Sequence, residues 1–111
     1  MEVIHAYHTG IIAIPQGDFE EWNIDKEDLE GVVNQILKIK NIRFAALITQ
    51  RDNNKVKLSL RSKGDFSVQE LATAYFNGGG HKNAAGGSFA GQLEDCVAFL
   101  KNLLPNCKEL A

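Results

Sequence analysis

The stretch FAALITQRDNNKVKLSLRS, residues 44–62, contains two strand patterns on either side of a turn signal, and it decides the fold. Residues 44–50 are continuously apolar at first, as expected of a central strand covered on both faces. The segment RDNNK then places Asp and Asn side chains at the tip of a turn. In residues 56–62 apolar and polar residues alternate, with Lys57, Ser59 and Arg61 on the face away from the core. The stretch therefore predicts a hairpin within a sheet.

Helical patterns lie on both sides of this hairpin. From about residue 25 to residue 37, apolar residues recur at helical spacing, with acids in the first turn and lysines in the last. A second apolar stripe begins at Leu93 and predicts a helix that stops before Pro105. Cys96 lies on this stripe, where we interpret it as a small hydrophobic residue.

The helix that directly follows the hairpin has the clearest start signal in the chain. Ser67 and Glu70 have the spacing of a capping box, in which each side chain satisfies a free backbone N–H group of the other residue. We expect this helix to run to about Asn77. Gly78 then suits the left-handed position that ends many helices.

Two further short strands complete the predicted order of elements. Residues 10–15 form an apolar run that ends at a proline, and residues 84–89 predict a strand after a glycine-rich segment. The predicted order is β-α-β-β-α-β-α. The fold class is therefore α+β (mixed α/β), a single domain with a mixed sheet flanked by helices.

The composition places the chain among soluble globular domains. With 111 residues, of which 44% are hydrophobic and 23% charged, the chain suits one domain. No apolar run reaches the roughly 18 residues of a membrane span, and no signal-peptide pattern opens the chain. We therefore expect no membrane partner and a cytoplasmic location. For the same reason no disulfide is expected between Cys96 and Cys107.

The net charge of −2 hides a strong asymmetry along the chain. Eight of the 14 acidic residues lie at or before Glu30, whereas eight of the 12 basic residues lie between Lys38 and Lys63. An anionic ligand is therefore compatible with the middle of the chain. An ordinary solvated face explains the basic stretch equally well.

The segment GGGHKNAAGG, residues 78–87, places five glycines around one histidine and one lysine. Two explanations remain open from the residues alone. The segment is either a plain turn or a site where backbone N–H groups form a concavity for an anion. It fits neither the phosphate loop of nucleotide hydrolases nor the dinucleotide fingerprint, because it follows a helix and lacks the required residues after Lys82.

Together with VKLSLRSKGDFSVQELA, residues 56–72, this segment resembles the DHH-associated domain, type 1. That domain is the C-terminal substrate-binding domain of DHH-family phosphoesterases. These include bacterial oligoribonucleases that also dephosphorylate phosphoadenosine phosphate, the RecJ exonuclease and exopolyphosphatase-related proteins. The resemblance spans residues 10–104. It implies that the whole chain, residues 1–111, is such a domain and a fragment of a longer phosphoesterase.

The resemblance also implies a set of residues that bind phosphate. The glycine–histidine motif and the arginine-bearing strand of the family fall on Ser59, Arg61, Gly78, Gly79, Gly80, His81, Lys82 and Asn83. Relatives have a further glycine where this chain has Asn77, and asparagine also tolerates the left-handed backbone. The expected ligand is a short RNA or DNA oligonucleotide or a nucleoside phosphate. Arginine can take two phosphate oxygens at once, and histidine can donate to a third.

The catalytic part of the family binds Mn²⁺ or a similar metal such as Mg²⁺ through aspartates and histidines. No Asp-His-His triplet occurs in this sequence, and His5 and His8 are too few for a metal site. We interpret the two histidines as part of an exposed strand edge. The resemblance therefore implies no cofactor and no catalytic residue in this chain, with the metal in an N-terminal catalytic domain that would be its partner.

Two other functions remain open. The chain could be a stand-alone nucleic-acid-binding module that uses the basic stretch between residues 38 and 63. It could also be a dimerisation domain in which Phe19 and Trp22 form the contact and the glycine-rich segment is only a turn.

Overall fold

One mixed sheet organises the computed structural model, which describes residues 1–17 and 26–111, with only the backbone described at 26–29. Within these ranges the sheet has six strands in the spatial order β1-β2-β3-β4-β6-β5. They are β1 (Glu2–Ile4), β2 (Thr9–Ile14), β3 (Phe44–Asp52), β4 (Lys55–Ser62), β5 (Gly79–His81) and β6 (Ala84–Ala90). Strands β2 and β3 pair in parallel, and every other neighbouring pair is antiparallel.

Three helices flank this sheet in the described part of the chain. They are α1 (Lys26–Leu37), α2 (Val68–Tyr75) and α3 (Leu93–Leu103). Short 3-10 turns cover His5–Tyr7, Leu104–Asn106 and Lys108–Leu110. The predicted mixed α/β domain is confirmed, with the β3–β4 hairpin at the centre of its sheet.

The two faces of the sheet have separate hydrophobic clusters because strand side chains alternate between faces. On one face Val33 and Ile36 of α1 pack with Ala45 and Leu47 of β3. On the other face α2 and α3 cover a larger cluster, which includes the fully buried strand residues Ala46, Ile48, Val56, Leu58 and Leu60. The continuous apolar run of β3 thus fits a strand covered on both sides.

Helix α2 begins as predicted and ends earlier than predicted. Ser67 is its N-cap, and the Ser67 hydroxyl accepts a hydrogen bond from the Glu70 N–H at 3.2 Å. The helix ends at Tyr75, two residues before the expected end. The prediction of a left-handed Gly78 is wrong, because Asn77 takes that conformation with a φ of 51°. Asparagine is one of the few other residues that adopt it readily.

The strands β1 and β5 were absent from the predicted order, and each has only three residues. Three residues are too few to display an alternating pattern, and two of the three residues of β5 are glycines, which are depleted in strands. Each strand instead depends on its partner, since β1 pairs with β2 and β5 pairs with β6. The histidines expected on a strand edge lie in the 3-10 turn between β1 and β2 and at its end.

The residues after α3 pack into the larger cluster. Leu104, Cys107 and Leu110 are all buried there. Both Cys96 and Cys107 are free thiols. Among the described residues, no helix is long and apolar enough to cross a membrane. The segment that contains Phe19 and Trp22, proposed above as a dimer contact, lies outside the described residues.

Candidate functional site

Strands β4, β6 and β5 bring the arginine and the histidine of the two motifs into one row. Arg61 of β4 is paired with Ala84 of β6, and Ala84 is paired with His81 of β5. The next row joins Ser59, Gly86 and Gly79 in the same way. Residues directly opposite each other on paired strands place their side chains on the same face. The Arg61 and His81 side chains therefore share one face of the sheet.

Beside α1, this face forms a shallow, open hollow of about 340 Å³. Ser59, Arg61, Gly79, Gly80 and His81, all predicted from the sequence, line it. The other described lining residues are Glu30, Lys57, Leu58, Ala84, Ala85 and Gly86. Helix α1 packs over β3 and β4 on this face, and the hollow lies beside it over β4, β6 and β5.

The Arg61 guanidinium is held in place by the sheet itself. Its Nη1 donates to the Leu60 carbonyl at 2.9 Å and to the Ala85 carbonyl at 3.4 Å. A guanidinium has five N–H donors, so these contacts leave donors for a ligand. Among the residues that the structure describes, no carboxylate forms an ion pair with Arg61. Half-buried and anchored, Arg61 is suited to bind an anion.

The glycines of residues 78–87 let two backbone segments approach closely. A Cβ atom on Gly78 would lie 2.0 Å from the Gly86 carbonyl oxygen, and one on Gly87 would lie 2.6 Å from the Phe76 Cβ. Gly80 has a φ of 146°, which L side chains rarely adopt. A Cβ atom on Gly79, in contrast, would have open space around it apart from Thr73 Oγ1 at 4.0 Å. The segment is thus more than a plain turn, because it forms β5 and one wall of the hollow.

Three predicted site residues lie elsewhere. The Asn83 amide donates to Ser62 Oγ at 2.9 Å and to the Gly64 carbonyl at 3.3 Å, away from the hollow. Lys82 Nζ lies 3.9 Å from an Asp65 carboxylate oxygen, and both side chains are exposed. Gly78 packs on the backbone of β6. The structure therefore places these three residues around the turn and strand contacts that hold β5 in position.

Sequence reasoning did not select Lys57 and Glu30 as site residues, although both line the hollow. For Lys57 a signal existed, since the alternation of β4 already placed it on the face of Ser59 and Arg61. Glu30 had no local signal, because only the packing of α1 on the sheet brings it close. The small residues Ala84 and Gly86 belong to the glycine-rich motif and form part of the floor of the hollow.

The other basic residues of the 38–63 stretch do not join this site. Arg43 and Lys63 line a separate hollow of about 550 Å³ together with Asp65 and Glu109. Lys40 lines a third hollow beside His5 and His8. The basic stretch is therefore divided among several surfaces rather than forming one continuous track.

The described residues do not fit a metal centre of the kind that DHH phosphoesterases use. Within residues 1–17 and 30–111, no three His, Cys, Asp or Glu side chains are grouped so that they could hold a metal ion. His8 Nδ1 instead forms a hydrogen bond with the Asn41 carbonyl at 3.0 Å.

Comparison with known proteins decides the family. The family model of the DHHA1 domain matches residues 3–106 of the 111. The chain belongs to the DHHA1 domain family. This confirms the resemblance to the DHH-associated domain that the glycine–histidine segment and the arginine strand indicated.

Two solved structures and one curated sequence place this DHHA1 domain among its relatives. An exopolyphosphatase-related protein from Bacteroides fragilis is 38% identical, with a TM-score of 0.89 over 98% of this chain and 32% of its own. A 3',5'-cyclic-nucleotide phosphodiesterase of Helicobacter pylori is 51% identical over 39 residues, 35% of this chain and 11% of that protein. This DHHA1 domain thus spans about a third of the first relative, and its match to the second covers about a tenth of that protein.

The third relative shares the fold alone. The C-Ala domain of alanyl-tRNA synthetase from Aquifex aeolicus is 13% identical, with a TM-score of 0.59 over 86% of this chain and 89% of its own. The DHHA1 domain is therefore associated with phosphoesterases through its more similar relatives.

Proposed function

We propose that this DHHA1 domain holds the phosphate of a short oligonucleotide or a nucleoside phosphate in the hollow between Arg61 and His81. Hydrolysis would take place on a DHH catalytic domain that carries Mn²⁺ or Mg²⁺. The observation that carries the proposal is the single row Arg61–Ala84–His81, whose outer members line one hollow. The similarity to a phosphodiesterase and to an exopolyphosphatase-related protein supports a phosphorylated ligand.

The spacing of the row suits a phosphate group. Neighbouring strands lie about 4.8 Å apart, so the Cα atoms of Arg61 and His81 are separated by about 10 Å. Two long side chains that start at this separation can contact one phosphate from opposite sides. Each charge-assisted hydrogen bond would stabilise the complex by about 1.5–3 kcal/mol. Lys57, on the same face, adds a positive charge to the hollow.

In this proposal the DHHA1 domain binds the substrate, and a DHH catalytic domain cleaves the phosphoester bond. The domain would orient the scissile phosphate, and the catalytic domain would close the open side of the hollow. We further propose a cytoplasmic location, which is supported by the two free, buried cysteines. The proposed substrates include short oligoribonucleotides.

Nuclear magnetic resonance of the ¹⁵N-labelled chain tests the binding proposal directly. Titration with adenosine 3',5'-bisphosphate or a short oligoribonucleotide should shift the amide signals of Gly79, Gly80 and Gly86. The amides of α3, on the opposite face of the sheet, provide an internal reference. Unchanged glycine signals at millimolar ligand would contradict the proposal.

His81→Ala provides the first testable mutation. The His81 side chain is exposed, so its removal should leave the fold intact while it removes one phosphate contact. We expect affinity for adenosine 3',5'-bisphosphate to fall about tenfold, the equivalent of one charge-assisted hydrogen bond. Lys108→Ala removes another exposed positive charge far along the chain and serves as the matched control. Equal affinities of the two variants would refute the role given to His81.

The same titrations separate this function from a stand-alone nucleic-acid-binding module. Such a module would bind through the basic residues outside the hollow, and His81→Ala would leave its affinity unchanged. Its affinity for single strands would also fall with salt by about 0.7 log units per log unit for each phosphate contacted. Homodimer formation is an independent prediction, which light scattering of the purified chain would test.

A further inference from the structure

Glu30 is the acidic residue among the described residues that line the hollow, beside the basic Lys57 and Arg61. It lies on α1 and lines the hollow together with Lys57, Arg61 and His81. Its side chain is half-buried. Among the described residues, no base forms an ion pair with the Glu30 carboxylate. The hollow therefore has a cationic side on the sheet and an anionic group on the helix.

The floor between these two sides carries almost no side-chain bulk. It includes the row Ser59–Gly86–Gly79, in which the Ser59 hydroxyl is the only side chain, and the small residue Ala84 beside that row. Neither glycine is required to avoid a severe clash. A Cβ on Gly86 would lie 3.3 Å from its nearest atom, the Leu58 carbonyl oxygen, and one on Gly79 would lie 4.0 Å from Thr73 Oγ1. A flat ring can lie against such a floor and reach from the cationic side to Glu30.

This charge pattern discriminates between two kinds of phosphorylated ligand. A polyphosphate chain carries negative charge on every unit, so its extension from Arg61 across the floor brings negative charge toward the Glu30 carboxylate. A nucleoside phosphate instead presents neutral donors beyond its phosphate, in the form of sugar hydroxyls and base N–H groups. A carboxylate accepts hydrogen bonds from such donors strongly.

We infer that Glu30 determines the specificity of the hollow for nucleoside phosphates over inorganic polyphosphate. Its carboxylate accepts a hydrogen bond from the nucleoside while the phosphate lies at Arg61 and His81. This inference rests on the proposed function, because it requires that the hollow bind a phosphate. It adds a specificity-determining residue that lies outside the glycine–histidine motif and the arginine strand.

Glu30→Gln tests the inference, because it removes the charge and keeps the size of the side chain. Binding of adenosine 5'-monophosphate, ribose 5-phosphate and tripolyphosphate is measured by calorimetry or by the Gly79 and Gly86 amide shifts. We expect adenosine monophosphate to bind about fivefold more weakly, as a charged acceptor becomes a neutral one. Tripolyphosphate should bind about two- to fivefold more tightly once the repulsion is removed. Glu94→Gln makes the same charge change at an exposed site on α3 and should alter neither affinity.

Comparison of adenosine monophosphate with ribose 5-phosphate also identifies which group of the nucleoside donates the hydrogen bond to Glu30. A weaker complex with both adenosine monophosphate and ribose 5-phosphate places the donor on the sugar, and a loss for adenosine monophosphate alone places it on the base. An unchanged ratio of nucleotide to tripolyphosphate affinity in Glu30→Gln overturns the inference and leaves the proposed function intact. If the unmodified chain binds none of the three ligands, both the proposed function and the inference fail.

Discussion

At the scale of single residues, two adjacent glycines of the 78–87 segment serve different purposes. Gly78 has no room for a side chain, because its Cβ would lie 2.0 Å from a backbone oxygen of Gly86 and 2.6 Å from the Cα of Gly87. Gly79 has only Thr73 Oγ1 near its Cβ position, at 4.0 Å. The first glycine is therefore required by the fold, whereas the second leaves open the surface where a ligand is proposed to lie.

Alanine substitutions separate these two purposes. Gly78→Ala forces backbone apart and should lower the free energy of unfolding by about 3 kcal/mol or more, at the upper end of overpacking effects. Gly79→Ala should change it by less than about 0.5 kcal/mol, because the added methyl group would have room. Urea unfolding of both variants, followed by circular dichroism, measures the difference. Similar midpoints for the two would show that the close approach of Gly78 to β6 is not tight.

The buried thiol of Cys96 makes a second prediction at this scale. Burial raises the pKa of Cys96 from 9.0 to about 12. Between these values the unfolded chain loses the thiol proton and the folded chain retains it, so ionisation favours unfolding. The free energy of unfolding should therefore decrease from pH 9 toward pH 12, and less steeply in Cys96→Ala. Denaturant titrations at several pH values measure both slopes, and parallel slopes would contradict the assignment.

At the scale of elements, the first turn of α2 forms hydrogen bonds with the glycine-rich segment. Its N-cap Ser67 accepts a hydrogen bond from the Glu70 N–H, and the Val68 N–H donates to the Lys82 carbonyl at 2.8 Å. The Gln69 amide donates to the Gly80 carbonyl at 2.8 Å. The first turn of α2 thus fixes the backbone of β5 and of the turn after it.

Ser67→Ala should weaken this element. Loss of an N-cap hydroxyl costs about 1 kcal/mol, so the melting temperature should fall by several degrees for a domain of this size. Ser67→Asp retains an oxygen acceptor at the same position and should restore most of the stability. Thermal unfolding followed by circular dichroism compares the three proteins. If Ser67→Asp is as unstable as Ser67→Ala, the hydroxyl acts in some way other than capping.

The elements that could be predicted from the sequence are those with local signals. The Ser67–Glu70 spacing marks the start of α2, and the alternation in β4 identifies the face of Arg61, because both depend on neighbours in the chain. Strands β1 and β5 escaped prediction because three residues acquire strand geometry only from a partner strand. The end of α2 was misplaced because the left-handed residue is Asn77 rather than a glycine.

For the site, the same division between local and distant signals holds. The glycine–histidine motif and the arginine strand identified the residues that line the hollow on the sheet. Glu30 was missed because its place depends on how α1 packs across the sheet, which no local pattern records. Asn83 was selected with its motif, although its amide serves to hold the turn to Ser62 and Gly64.

At the scale of the whole molecule, the last eight residues complete the larger hydrophobic cluster. Leu110 is fully buried, although it lies second from the end of the chain, and Leu104 and Cys107 are buried beside the same helices and strands. The Arg43 guanidinium also donates to the Glu109 carbonyl at 3.4 Å. Because Arg43 directly precedes β3, this hydrogen bond connects the C-terminal segment to that strand. The segment is therefore part of the core rather than a loose tail.

Leu110→Ala should destabilise the domain by about 2–5 kcal/mol, the usual range for removal of a fully buried leucine side chain. Its neighbour Lys108 is exposed, so Lys108→Ala should leave stability within about 0.5 kcal/mol of the original. Chemical denaturation of the two variants provides the measurement. A Leu110→Ala protein as stable as the Lys108→Ala protein would mean that this segment does not pack in solution.

The carbonyl contacts of Arg61 affect how strongly a ligand could be held. A free arginine side chain samples many rotamers, and its immobilisation on binding usually costs about 0.5–1.5 kcal/mol in lost conformational entropy. Here the Leu60 and Ala85 carbonyls restrict the guanidinium before any ligand arrives. The Arg61 side chain is thus ordered before binding. A phosphate that contacts Arg61 would therefore lose less of its binding free energy to the side-chain entropy cost.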